Sequence, residues 1–259
     1  MPFNLRGPRR ARELAEQTRL MTRLERSMTR RTRRELTRTA TAAAKAYTAG
    51  RSAGLDQVFN AHQDGMARLL DAHHRVTMGI FGKRILEAAK ASRAALERKA
   101  EGDVFDMAVE DWIARYTALK VTQITRTTRK RIIDAIARLE GERLGVDQIA
   151  RGIVKETGGA IARARAAVIA RTETHQAAMY ANDAAARATG IPGLRREWMA
   201  ANDERTRETH AAADGQIVGM DEPFIVGGVP LTRPGDPDGP PDLVVNCRCV
   251  QAFISPGYE

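Results

Sequence analysis

Apolar residues recur at helical spacing over most of the chain. From about residue 10 to 189 Ala, Arg, Leu, Glu and Met dominate, and only Pro2 and Pro8 precede Pro192, so this stretch is expected to be mostly α-helix. A first block over 11–49 carries Leu14, Met21, Leu24 and Met28 at 3/4 spacing. That makes an amphipathic stripe with a basic back, and the stripe weakens past Met28, where it meets Arg31 and Glu35. A second block over 55–79 places Leu55, Val58, Phe59, His62, Met66, Leu69, Leu70, His73 and Val76 on one broad face. His62 and His73 stand three turns apart there, a placement that suits structural or solvated imidazoles better than a shared metal. Blocks over 83–100 and 104–139 follow. The latter, with Phe105, Val109, Trp112, Ile113, Tyr116, Leu119, Ile132, Ile133, Ile136 and Leu139, is the expected core of the helical part. Gly145-Val146-Asp147 opens a short helix that Thr157-Gly158-Gly159 ends, and a last helix over 160–189 closes at Gly190 and Pro192.

Past Pro192 the pattern changes. Eight of the ten prolines lie at or beyond that position, among Gly-rich turns and short apolar runs. Strands are expected at 195–200, 216–218, 224–226 and 244–254, a short helix at 204–212, a turn at Asp214-Gly215, and an extended loop over 234–241. The fold class is therefore a mainly α N-terminal region of long helices followed by a small α+β C-terminal domain with short strands. The chain divides into a basic helical arm (1–51), a helical region (52–159) and the α+β part (160–259).

Charge sharpens the picture. The net charge is +10, and residues 1–51 alone hold 14 Lys and Arg against 4 Asp and Glu, while the remaining 28 basic and 28 acidic residues cancel. Among the arginines of this segment, which include Arg6, Arg9, Arg10, Arg12 and Arg38, those at Arg19, Arg23, Arg26, Arg30, Arg31, Arg33 and Arg34 are the candidate nucleic-acid contacts. With almost no aromatic residues nearby, the expected mode is phosphate neutralisation; a solvated face or an acidic protein surface would suit the same charge. No run approaches the roughly 20 apolar residues of a membrane span, and the N-terminus has no apolar signal stretch, so no membrane partner and a cytoplasmic origin are expected.

Candidate chemistry is confined to the C-terminal part. Cys247 and Cys249 are the only cysteines, too close to staple anything as a disulfide. In an extended segment their thiols project to one side. On a helix begun by Asn202 or Asp203, positions 203, 207 and 210 share a face. If His210 meets the two sulfurs, a structural Zn²⁺ gains three ligands; Asp203 is the first candidate for a fourth, then Glu173 or His175, and a metal-free thiol pair is the alternative. Arg171, Glu173 and Arg207 are expected to form a buried ionic network, with Arg205 or Asp203 as partners, that fixes the helix on the small sheet. Trp198 and Phe224 are expected in the core.

Three words stand in order: Arg171-Thr172-Glu173, Asp203-Glu204-Arg205-Thr206-Arg207-Glu208-Thr209-His210, and Asn246-Cys247-Arg248-Cys249, with Trp198, the Asp214-Gly215 turn and Phe224 between them. Together, over residues 160–254, they resemble the phage Mu protein F-like head-morphogenesis family of tailed bacteriophages. The resemblance implies a non-enzymatic minor head (capsid) protein of a phage or prophage. Such a protein acts in head assembly with the portal protein, lies against the capsid inner surface near the portal vertex, and is made in the host cytoplasm before entering the virion. It also implies a His/Cys cluster, and would set the basic segment against packaged double-stranded DNA. Two other functions are weighed. A zinc-dependent hydrolase would use His210, Cys247, Cys249 and Glu173, but the chain has no H-E-x-x-H or similar motif. A free-standing DNA-binding protein would need a helix-turn-helix signature, which is missing.

Overall fold

The computed structural model describes residues 8–50, 52–91, 101–142 and 144–256. Arg6 and residues 92–100 of the helical block expected at 83–100 lie outside the described residues. Along the chain come α1 (Pro8–Thr48), α2 (Ser52–Ala91), α3 (Glu101–Trp112), a π-helical turn (Ile113–Thr117), α4 (Ala118–Gly141), α5 (Val146–Thr157) and α6 (Gly159–Ala188). The α+β part follows as β1 (Arg195–Met199), α7 (Glu208–Ala212), β2 (Ile217–Gly219), β3 (Phe224–Val226), β4 (Val229–Leu231), α8 (Pro241–Val244) and β5 (Val250–Ile254). The fold class is the one read from the sequence. No helix among the described residues is long and apolar enough to cross a membrane.

Contacts group the chain into two compact units: Met1–Leu24, His74–Asp111 and Arg171–Glu259 form the first, Glu25–His73 and Trp112–Ala170 the second. This grouping redistributes the charge. The second unit holds 21 Lys and Arg against 10 Asp and Glu, net +11; the first holds 21 against 22, net −1.

In the second unit, Met28, Leu36, Met66, Leu70, Val121, Ile124, Ala166 and Ile169 form one core cluster, and Ala43, Phe59, Ile132, Ile136, Leu139, Ile149 and Ile153 another. The stripe on α1 does not fade at Met28. Thr32, Leu36, Thr39, Ala40 and Ala43 continue it, buried, while Arg31 faces solvent and Glu35 sits at the edge on Arg38 and His62. His62 is a satisfied core residue, with Nδ1 on Thr39 Oγ1 at 3.0 Å and Nε2 on Thr128 Oγ1 at 3.1 Å.

The expected face of 104–139 needs one correction. Leu119 and Ile133 are exposed, and Val121 and Ile124 are buried instead. The π-helical turn adds one residue to the helical repeat, so beyond it the buried face moves on to Thr117, Val121, Ile124 and Thr128. A stripe read straight through at α-helical period slips by that residue.

The first unit is built around the second half of α6. Residues 172–186 of this helix are buried almost all the way round, and Ala177, Ala178, Ala181, Ala185 and Ala186 let neighbours approach closely. The block expected at 55–79 and the described part of the one expected at 83–100 are continuous in α2, because Gly82 is a packing residue: a Cβ there would lie 2.0 Å from Phe105 Cζ. The start of α1 belongs to this unit too. Arg10 Nε donates to Glu197 at 2.6 Å, Gln17 Nε2 to the Gln251 carbonyl at 3.1 Å, and Asn182 Nδ2 to Gln17 Oε1 at 2.9 Å.

β1 runs antiparallel to both neighbours in a sheet of order β2-β1-β5. β3 and β4 form a hairpin whose two-residue turn, Gly227-Gly228, has φ +58° and +80°, the left-handed pair such turns require. β4 was not expected, being three residues long with Pro230 at its centre. Two expected elements are shorter than read. The helix at 204–212 begins only at Glu208, and the strand at 244–254 only at Val250, after the single turn of α8, which starts at the last residue of the expected loop and ends at the first of the expected strand.

Candidate metal centre

α7 is one turn long and presents His210; the irregular stretch after α8 presents Cys247 and Cys249 just before β5. The three donors meet. His210 Nδ1 lies 3.3 Å from Cys249 Sγ and 3.7 Å from Cys247 Sγ, and all three ligand atoms fall within 4.8 Å of one another. Each residue is 2% exposed. The cluster rests on Trp198, whose ring meets the imidazole edge-on at 5.5 Å and Phe224 at 5.4 Å. Trp198 and Phe224 are fully buried, as expected.

The charged words hold the cysteine loop in place. Arg171 Nη1 donates to Asn246 Oδ1 at 3.1 Å, the Asn246 N–H donates to Thr172 Oγ1 at 3.3 Å, and Arg207 Nη2 donates to the Val245 carbonyl at 2.7 Å. His175, one helical turn beyond Arg171, donates from Nε2 to the Cys249 carbonyl at 2.7 Å. A carbonyl can only accept, so Nε2 carries the proton, and burial pushes the ring's pKa down. Glu173 meets His74 Nε2 at 3.3 Å, with both residues buried. His74, Thr172 and Asn246 were not singled out in the sequence; only the position of Thr172 and Asn246 inside the quoted words could have flagged them.

Asp203 does not join the cluster. The 203–206 stretch is a turn, and the Asp203 carboxylate caps it, accepting from Arg205 N–H at 3.1 Å and Thr206 Oγ1 at 3.0 Å. The shared helical face of 203, 207 and 210 is therefore not formed, because Arg207 sits at the N-cap of α7 in extended conformation. Neither Glu173 nor His175 offers a fourth ligand atom; among the described residues the cluster has three.

The two thiols hold unlike protons. The hydrogen bond from Cys247, aided by His210 and opposed by burial, lowers Cys249 to about 5, while the same hydrogen bond and burial push Cys247 well up. The pair thus favours one thiolate beside the imidazole at neutral pH.

A family model described as phage Mu protein F like protein matches residues 123–252, half of the chain and every residue of the cluster and its clamp. The chain belongs to the phage Mu protein F-like family. It is also similar to the minor head protein GP7 of Bacillus phage SPP1, 36% identical over 161 residues, 60% of this chain and 50% of that protein. The chain thus spans about half the length of the curated relative it matches. No solved structure matches it.

The family match begins within α4, so it leaves out α1 and its arginines. Arg19, Arg23, Arg26, Arg30, Arg31, Arg33 and Arg34 are all exposed on that helix.

Proposed function

We propose that this Mu F-like chain is a minor head protein of a tailed phage or prophage, a non-enzymatic virion component that joins head assembly with the portal protein near the inner capsid surface. What carries the reading is the family match together with the relative named as a minor head protein. These seven arginines, among the exposed ones of α1, would meet packaged double-stranded DNA through its phosphates, without regard to sequence.

His210, Cys247 and Cys249 supply three of the four ligands that a structural Zn²⁺ takes. Zinc bonds of about 2.3 Å to sulfur and 2.0 Å to nitrogen at tetrahedral angles set N···S at about 3.5 Å, between the 3.3 and 3.7 Å found. A bound ion would tie α7 to the loop before β5 without redox chemistry. Two observations speak against hydrolysis: the Asp203 carboxylate, although it borders the same small cavity as the cluster, is held by Arg205 N–H and Thr206 Oγ1 of its own turn, and Glu173 faces His74.

The test is mass spectrometry of purified particles combined with retention of the phage's portal protein on the tagged full chain. The reading expects the chain in particles in a few copies, and the portal retained. Particles without the chain contradict it.

A further inference from the structure

The second unit contains two neighbouring arginines with no carboxylate among the described residues to answer them. Arg165, on α6 and partly buried, donates from Nη1 to Thr128 Oγ1 and from Nη2 to the Ile124 carbonyl, both at 2.7 Å. Both acceptors are neutral. Arg131 of α4 borders the same recess, and burial together with this second positive charge pulls Arg165 down to about 10. Among the described residues neither guanidinium has an ion pair, whereas Arg84 reaches Glu13 and Arg196 reaches Asp183.

Removing a guanidinium from water beside a like charge is costly unless an anion restores the balance. Hydrogen bonds to a hydroxyl and a carbonyl satisfy the fork's geometry and leave its charge unanswered. A cavity of about 10 Å³, bordered by Leu36, Thr128, Arg131, Thr157, Ile161 and Arg165, lies against both arginines. That is room for a single oxygen-sized atom. Arg131 is exposed, so the recess can be reached from solvent, and the surrounding unit's net +11 draws polyanions toward it.

We propose that Arg131 and Arg165 form an oxyanion site that takes one oxygen of a phosphate group, presented by free phosphate or by a nucleic-acid backbone. Guanidinium groups suit this ligand because their spare N–H donors can converge on one phosphate while neutralising it. The site shares no residue with the seven α1 arginines or with the His-Cys-Cys cluster, and it does not depend on the assembly role.

The experiment compares the full chain with Arg131→Gln. Melting is followed in phosphate and in chloride at matched ionic strength, and binding to a DNA duplex is followed across a salt series. Because Arg131 is exposed, the variant should fold, and its melting temperature without phosphate should equal or exceed that of the parent as the like-charge contact is relieved. Phosphate should raise the melting temperature of the parent saturably and leave Arg131→Gln unmoved. If the natural ligand is a backbone phosphate, the slope of log affinity against log salt should also fall by about 1 in the variant. An unchanged slope, or no DNA binding, assigns the site to free phosphate; absent DNA binding would also remove the DNA contact proposed above. Phosphate no better than chloride, or an equal response from both proteins, overturns the site.

Discussion

Asn246 accepts a hydrogen bond from Arg171 at 3.1 Å while its own backbone stands at φ +59°, so one residue both turns the cysteine loop and fastens it to α6. Few side chains tolerate that left-handed conformation, and asparagine is one of them.

The two roles of Asn246 separate by substitution. Asn246→Gly keeps the turn and loses the bond to Arg171, and should cost about 1 kcal/mol. Asn246→Ala loses both and should cost about 2 to 3 kcal/mol in chemical denaturation. Equal costs would mean that the backbone conformation contributes nothing.

The thiol pair makes stability depend on pH. Cys249 is depressed from an ordinary value near 9 to about 5, so its ionisation stabilises the fold fully above pH 9. That contribution declines as pH falls and is gone below about 5; Cys247, being raised, works against the fold above 9. In metal-free protein, thiolate absorbance should show one sulfur ionised at neutral pH and the other protonated, and Cys249→Ser should flatten the loss of stability between pH 8 and 5. Two thiols titrating together near 9 would contradict the arrangement.

Gly82 and Phe105 test the continuity of α2. A methyl at 82 would meet the ring at 2.0 Å, so Gly82→Ala should destabilise by about 1 to 3 kcal/mol despite improving helix propensity. In the Phe105→Ala background the same change should become neutral or stabilising. An additive double variant would show that the two positions do not touch.

Helices and strands were legible where period and punctuation agreed, as in α5, α6 and β3. The reading failed where a local device broke the period. One π-helical turn moved the buried face of α4 by a residue, and Gly82 looked like a boundary because a glycine accommodating a ring has the same sequence as a break. At the site, His210, Cys247 and Cys249 were legible because residue type and spacing carried them. Asp203 misled: the Thr206 that follows it draws its carboxylate into a turn, and no helical face forms. Arg131 and Arg165 were silent, since nothing in a sequence distinguishes an arginine with a carboxylate from one without.

The charge on α1 calls for surface substitution rather than truncation, because residues 1–51 also carry Met28, Leu36 and Ala43 into the core. Changing Arg26, Arg30, Arg33 and Arg34 to Gln should leave melting within about 0.5 kcal/mol of the parent. It should also lower the salt slope of duplex binding by roughly 0.9 for each phosphate no longer neutralised. DNA retention unaltered by the four changes would place the DNA-binding surface elsewhere.

The meeting of His210 with Cys247 and Cys249 is decided by the metal content of the freshly purified full chain. About one equivalent of zinc is expected, lost with a lower melting temperature in Cys247→Ser and His210→Ala, and kept in Asp203→Asn. Protein that takes up no zinc on reconstitution, and melts the same with and without it, would contradict the metal centre.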